Sequence, residues 1–191
     1  SGAISKFHRI LGLKVVENLK DYTQVPDGLR PVVFLSHMEH HSNQTSWLET
    51  IAKVEVVPSN DQGLICLDNF KELLLQYEHH PYKIAAITAC SNVTGIKTDY
   101  HSIARLMHQN NGFCFVDFAC SAPYVSIDMH PEDEESYLDA VTFSPHKFLG
   151  GPGSTGILVF NKKLYKNLVP DSPGGGTVTY TNPWGEHHYI D

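Results

Sequence analysis

The run Ile84-Ala85-Ala86-Ile87-Thr88, the segment from Thr98 to Met107 and the run Phe113-Cys114-Phe115-Val116 decide the fold. The two outer runs are short and continuously apolar, which fits strands covered on both faces. Between them Ile103, Leu106 and Met107 recur at helical spacing behind the cap candidates Thr98 and Asp99. Strand, helix and strand in that order make a βαβ unit, the connection that parallel strands require.

The pattern repeats on either side. Residues 32–35, 54–57, 140–143 and 156–160 read as four further strands. Ile4, Phe7, Ile10 and Leu11 mark one helix, and Phe70, Leu73, Leu74 and Tyr77 another, capped by Asp68. A weaker helix runs from Ser42 through Trp47 and Leu48 to Ile51. Six strands alternating with helices predict an α/β protein, a three-layer α/β/α sandwich with a mostly parallel sheet. Residues 132–135 read as a solvated acidic loop or helix start, and residues 172–176 as a flexible turn within an irregular tail over 166–191.

At 191 residues, the chain is long enough for one domain with a real core. Hydrophobic residues at 41% and charged residues at 18% place it among ordinary globular proteins. A formal charge of -7 excludes the basic face that nucleic acid requires. No apolar run reaches bilayer-spanning length, so no membrane partner is expected. Cys66, Cys90, Cys114 and Cys120 lack CxxC spacing, which favours a reducing cytoplasmic setting over a disulfide framework. The ends at Ser1-Gly2-Ala3 and Tyr189-Ile190-Asp191 read as those of a piece cut from a longer protein.

In open α/β sheets, ligands bind outside the carboxyl ends of the strands. That directs attention to residues 36–43, 90–95, 117–122 and 144–153. Lys147 follows a strand by four residues, in the turn Ser144-Pro145-His146-Lys147 with glycines behind it. A buried lysine there can form a Schiff base with an aldehyde cofactor, and Ser144 and His146 are donors suited to a phosphate. Alone, such a lysine reads as a surface residue in a Gly/Pro loop. Asp117, directly after its strand, could face a pyridine nitrogen or cap a turn. His40 could stack on a planar ring and assist proton transfer, or sit in a polar loop. Asn92 could bond a ring oxygen or a substrate carboxylate, or form an Asx turn before Gly95.

Four such signals in this order resemble the class V aminotransferase family of fold-type I pyridoxal-phosphate (PLP) enzymes. That family includes cysteine desulfurases, selenocysteine lyases and kynureninases. The likeness rests on Glu39-His40-His41-Ser42-Asn43, Ser91-Asn92-Val93-Thr94-Gly95, Asp117-Phe118-Ala119 and Ser144-Pro145-His146-Lys147, and it spans roughly residues 1–178. The resemblance implies that Lys147 holds PLP as an aldimine and moves the substrate proton, and that Asp117 pairs with the ring nitrogen. It further implies that His40 stacks on one face of the ring and Ala119 packs on the other. Asn92 would reach the phenolic oxygen or the substrate carboxylate, and Ser144 and His146 would bind the phosphate. Residues 174–177 resemble a Gly-rich loop near the family's active site.

The chemistry so implied is transamination or desulfurase- or selenocysteine-lyase-like cleavage of an amino acid, in a homodimer. Where desulfurases continue Asp-x-Ala with Gln, this chain has Cys120, read as a packing residue. The family's phosphate loop lies upstream of the first helix, and its small domain follows at the C-terminus. The resemblance therefore implies that residues 1–191 form a single, truncated large domain. The alternatives are a non-catalytic scaffold of the same fold and a metal-dependent hydrolase using His37, His40, His41 and Asp117. Adjacent His40 and His41 point apart on an extended segment, and no HExxH or HxxEH spacing is present.

Overall fold

The computed structural model describes residues 1–190. The chain runs α1 (Gly2–Ile10), β1 (Val32–Leu35), α2 (His41–Leu48), β2 (Lys53–Val56), α3 (Leu67–Leu75), β3 (Lys83–Thr88), α4 (Tyr100–Gln109), β4 (Phe113–Asp117), β5 (Ala140–Phe143) and β6 (Ile157–Phe160). These strands form one sheet in the order β2-β1-β3-β4-β5-β6. Every pairing is parallel except β5 with β6, which is antiparallel. The expected α/β class and mostly parallel sheet are what the chain adopts.

The continuous apolar runs have a simple origin. Successive side chains on a strand point to opposite faces, and each face of this sheet is covered by helices. Val32 and Phe34 join Phe70, Leu74, Ile103 and Met107 in the core under α3 and α4. Val33 and Leu35 join Ile4, Phe7, Trp47 and Phe115 on the other side, under α1 and α2. Phe7 stacks on Phe115 with ring centroids 5.2 Å apart. The edge strands differ. In β2, Lys53 and Glu55 alternate with Val54 and Val56, and β6 alternates exposed with half-buried positions. Charge and brevity at a sheet edge oppose pairing with other chains.

Several boundaries depart from the sequence expectation. β2 begins one residue early, and α2 stops at Leu48, short of Ile51. Cys66, and not Asp68, is the N-cap of α3; Asp68 lies in the first turn and bonds Lys71 at 2.9 Å. The tail is not wholly irregular: β7 (Val178–Thr181) and β8 (His187–Tyr189) form a separate antiparallel pair. Asp191, the last residue of the expected tail, lies outside the described residues. Asp171 fastens the tail to α1 through Lys6 at 2.5 Å and Arg9 at 3.0 Å. Those bonds hold its carboxyl below the usual carboxylate range. Among the described residues no helix is long and apolar enough to cross a membrane.

The sheet order places β2 on one side of β1 and β3 on the other. Chain direction across the sheet reverses there, so the exits of β1 and β3 diverge and leave a crevice at their carboxyl ends.

Candidate active site

The β1 exit is held by one carboxylate. Glu39 Oε1 accepts from Ser36 Oγ at 2.5 Å and from the Thr88 amide at 2.8 Å, and Oε2 accepts from Asn43 Nδ2 at 2.6 Å. Asn43, fully buried, also donates to the Ala86 carbonyl and accepts from Trp47 Nε1 at 2.9 Å. One side chain thus joins the end of β1 to the start of α2 and the end of β3. His40, next along, caps α2: its Nδ1 accepts from the Ser42 amide at 3.2 Å. Its ring stays exposed.

No local signal marks Glu39, because Thr88, its partner on β3, is 49 residues away. Burial, opposed by its three hydrogen bonds, raises its carboxyl from 4.5 to about 7. A carboxyl whose folded pKa is raised adds full stability below its unfolded value and loses it as pH climbs through the folded one. Fold stability should therefore drop by about 3 kcal/mol between pH 4.5 and 7 on this account. Chemical denaturation across that window checks it: Glu39→Gln should flatten the slope, and an unchanged slope would assign it to other groups.

The β3 exit turns tightly. Ser91 Oγ accepts from the amides of Val93 and Thr94, and Gly95 takes φ +74° while donating to the Ser91 carbonyl. Ser91, not Asn92, makes the turn, and Asn92 stands exposed at its tip. A cleft of about 540 Å³ lies between this turn and the β1 exit, lined by His37, Glu39, His40, His41, Asn92 and neighbours. His40 and Asn92 therefore share the crevice at the switch in strand order.

Asp117 ends β4 at 3% exposure. Its Oδ1 accepts from the Ala119 amide at 2.9 Å and from Thr142 Oγ1 at 3.4 Å; Oδ2 makes no hydrogen bond among the described residues. Burial pushes its pKa up, while the charges of Lys147 and His40 act in the opposite direction. Asp117 also acts on Glu39. The exits of β1, β4 and β5 thus bring His40, Asp117 and Lys147 into one electrostatic neighbourhood.

The β5 exit continues as a short 3-10 turn, Pro145–Lys147, closed by the Lys147 amide on the Ser144 carbonyl at 2.9 Å. Lys147 and His146 are exposed. This corrects the expectation of a buried lysine: the strand is buried, and the turn carries the amine out of it. The Ser144 hydroxyl and the His146 ring make no hydrogen bond among the described residues. The glycines behind Lys147 serve the loop itself. A Cβ on Gly151 would stand 1.9 Å from the Pro145 carbonyl oxygen, and Gly150 and Gly153 take φ of +77° and +89°.

Cys120 is more than packing. Its thiol donates to the Cys90 carbonyl at 3.0 Å and lies within the field of Lys147 and Asp117. The loop at 174–177 contacts the β7–β8 hairpin and lines a surface hollow with Val178 and Tyr189, without any of the residues above. Among the described residues no three His, Cys, Asp or Glu side chains are grouped to hold a metal ion, so the His37, His40, His41 and Asp117 set is not assembled.

The family model described as aminotransferase class-V matches residues 25–189. A probable cysteine desulfurase of Staphylococcus epidermidis is 31% identical over 156 residues, 80% of this chain and 36% of that protein. A cysteine desulfurase of Shigella sonnei is 31% identical over 171 residues, 87% of this chain and 39% of that protein. The chain thus spans well under half the length of these relatives. A crystal structure of a cysteine desulfurase from Escherichia coli superposes with a TM-score of 0.71 at 25% identity, covering 98% of this chain and 42% of that one.

Proposed function

Since the chain belongs to the class V aminotransferase family, a family of pyridoxal-phosphate enzymes, we propose that it carries the cofactor-holding machinery of an enzyme that acts on an amino acid. One observation carries this reading. Asp117 is a buried carboxylate with both of its hydrogen bonds on Oδ1, leaving Oδ2 as an acceptor within the field of Lys147. Desolvation works against its charge, and a cationic ring nitrogen at Oδ2 would compensate. That is the donor PLP presents, so the residues fit the group.

In this reading Lys147 Nζ holds the cofactor's aldehyde, Asp117 takes the ring nitrogen, His40 covers one face and Ala119 the other. Ala119 suits the second face because its amide is already tied to Asp117. Asn92, unbonded at the tip of its turn, reaches the phenolic oxygen or the substrate carboxylate. Ser144 and His146, both without protein partners, take the phosphate. When bound, PLP supplies an electron sink for bonds broken at the substrate α-carbon. The chain's own part is to orient and to move protons. Asp117 keeps the ring nitrogen protonated, and Lys147 Nζ moves the proton at the α-carbon. The Glu39 clamp holds His40 on the crevice wall.

The relatives named as cysteine desulfurases favour cysteine as substrate over plain transamination. The same reading includes a homodimer in a reducing cytoplasmic setting, which four free cysteines support. The test is spectroscopic. Full-length protein mixed with PLP should develop a near-visible band that cysteine perturbs, with alanine formed and, when a thiol reductant supplies the two electrons, sulfide released. A band answering to alanine and a keto acid, without sulfide, would assign transamination. Full-length protein that binds no PLP would sink the reading and favour a non-catalytic scaffold.

A further inference from the structure

The exits of β3 and β4 hold a second constellation that the cofactor reading does not use. Cys90 lies two residues past β3 and Cys120 three past β4, and these strands pair in parallel register at Thr88 and Asp117. The Ala89 amide bonds the Asp117 carbonyl at 3.0 Å, so the strands stay together as they end. Cys120 Sγ then reaches the Cys90 carbonyl at 3.0 Å. Both line a cleft of about 420 Å³.

The cleft has another property. Thr98 and Ser121 line it at 8% and 7% exposure, and neither hydroxyl has a hydrogen-bond partner among the described residues. A buried hydroxyl without a partner is costly. Both residues border the cleft, with their hydroxyl oxygens buried behind its wall.

We propose that Cys90 and Cys120 are a peroxide-oxidised dithiol: the cleft admits hydrogen peroxide, and the pair closes to a disulfide tying the β3 exit to the β4 exit. The Cys120 sulfur, as thiolate, attacks one peroxide oxygen. The O–O bond breaks, and hydroxide leaves and takes a proton to become water, giving a sulfenic acid. The Cys90 sulfur attacks that sulfur, the S–O bond breaks, and a second water leaves carrying the Cys90 proton. Two thiols give up two electrons, and one peroxide takes both. Burial and the neighbouring Cys90 push the Cys120 thiol up, with Lys147 pulling it down, so its thiolate is the minor form at neutral pH. Cys114 is fully buried and its thiol is pushed up much further, which leaves it inert.

The test reads mass, with no cofactor present, so its outcome does not depend on the PLP reading. Reduced full-length protein is treated with hydrogen peroxide at about pH 8.5, where more thiolate forms, and digested with trypsin without reductant. Cys90 falls in peptide 84–97, and Cys120 falls with Cys114 in peptide 106–147. The expected result is a loss of about 2 Da, as one disulfide requires, with these two peptides joined. The link should vanish in Cys90→Ser and in Cys120→Ser and persist in Cys66→Ser. Thiols that stay unlinked in the wild-type protein, a link that survives Cys120→Ser, or a bond between two chains would each overturn the proposal.

Discussion

Lys147→Ala is expected to slow turnover of an amino-acid substrate by at least about 10²- to 10⁴-fold, the range a positioned proton-transfer group contributes. It should also leave the protein without covalently held PLP. Lys147 ends an exposed 3-10 turn whose geometry comes from backbone bonds and from Gly151, not from the lysine side chain. Truncating an exposed side chain of this kind shifts fold stability by no more than about 0.5 kcal/mol. The informative result is therefore the combination of lost activity and lost near-visible absorbance with an unchanged melting temperature of the cofactor-free proteins, since bound PLP would itself add stability. Steady-state kinetics with cysteine and PLP, and thermal unfolding of both proteins freed of cofactor, read both. Activity retained within a few-fold would remove Lys147 from the chemistry.

Asp117→Asn should lower turnover by about 10- to 1,000-fold, matching a 1- to 3-unit shift in the basicity of the ring nitrogen. The substitution is close to isosteric. The Asn oxygen can keep the bonds from the Ala119 amide and Thr142 Oγ1 that Oδ1 now accepts. The amide nitrogen would replace Oδ2, setting a donor where the reading needs an acceptor. Burial already raises the Asp117 pKa, so Asn also relieves a desolvation cost. The variant should consequently fold at least as stably as the parent at neutral pH while losing kcat. A large loss of stability with kcat intact would make Asp117 a structural cap instead.

Much of the fold was legible because it rests on local signals. The runs at 84–88 and 113–116 and the helix between them announce a βαβ unit, since both faces of the sheet are covered and both sets of side chains must be apolar. The strand ends alone point to His40, Asn92, Asp117 and Lys147 as candidates, since ligands in such sheets bind at the carboxyl ends. Tertiary contacts were not legible. Glu39 stands out only once the Thr88 amide and the Asn43 amide meet its carboxylate. The Cys90–Cys120 pair exists only because β3 and β4 are in register.

The β7–β8 hairpin is not legible for a different reason. Its strands are short and polar, and local bonds among Asn182, Glu186 and Gly185 close its turn without an apolar core. The exposure of Lys147 is not legible in the sequence, because a buried strand suggests a buried successor. Pro145 and the three-residue turn carry the lysine outward within a few ångströms of chain.

The most direct measurement is to reduce full-length protein with borohydride in the presence of PLP and map the modified residue by peptide mass. The account predicts one pyridoxyl group, on Lys147, at the junction of peptides 106–147 and 148–162, which tryptic cleavage would then fail to separate. Modification at another lysine in preference to Lys147, or no modification of a folded full-length protein, would contradict it.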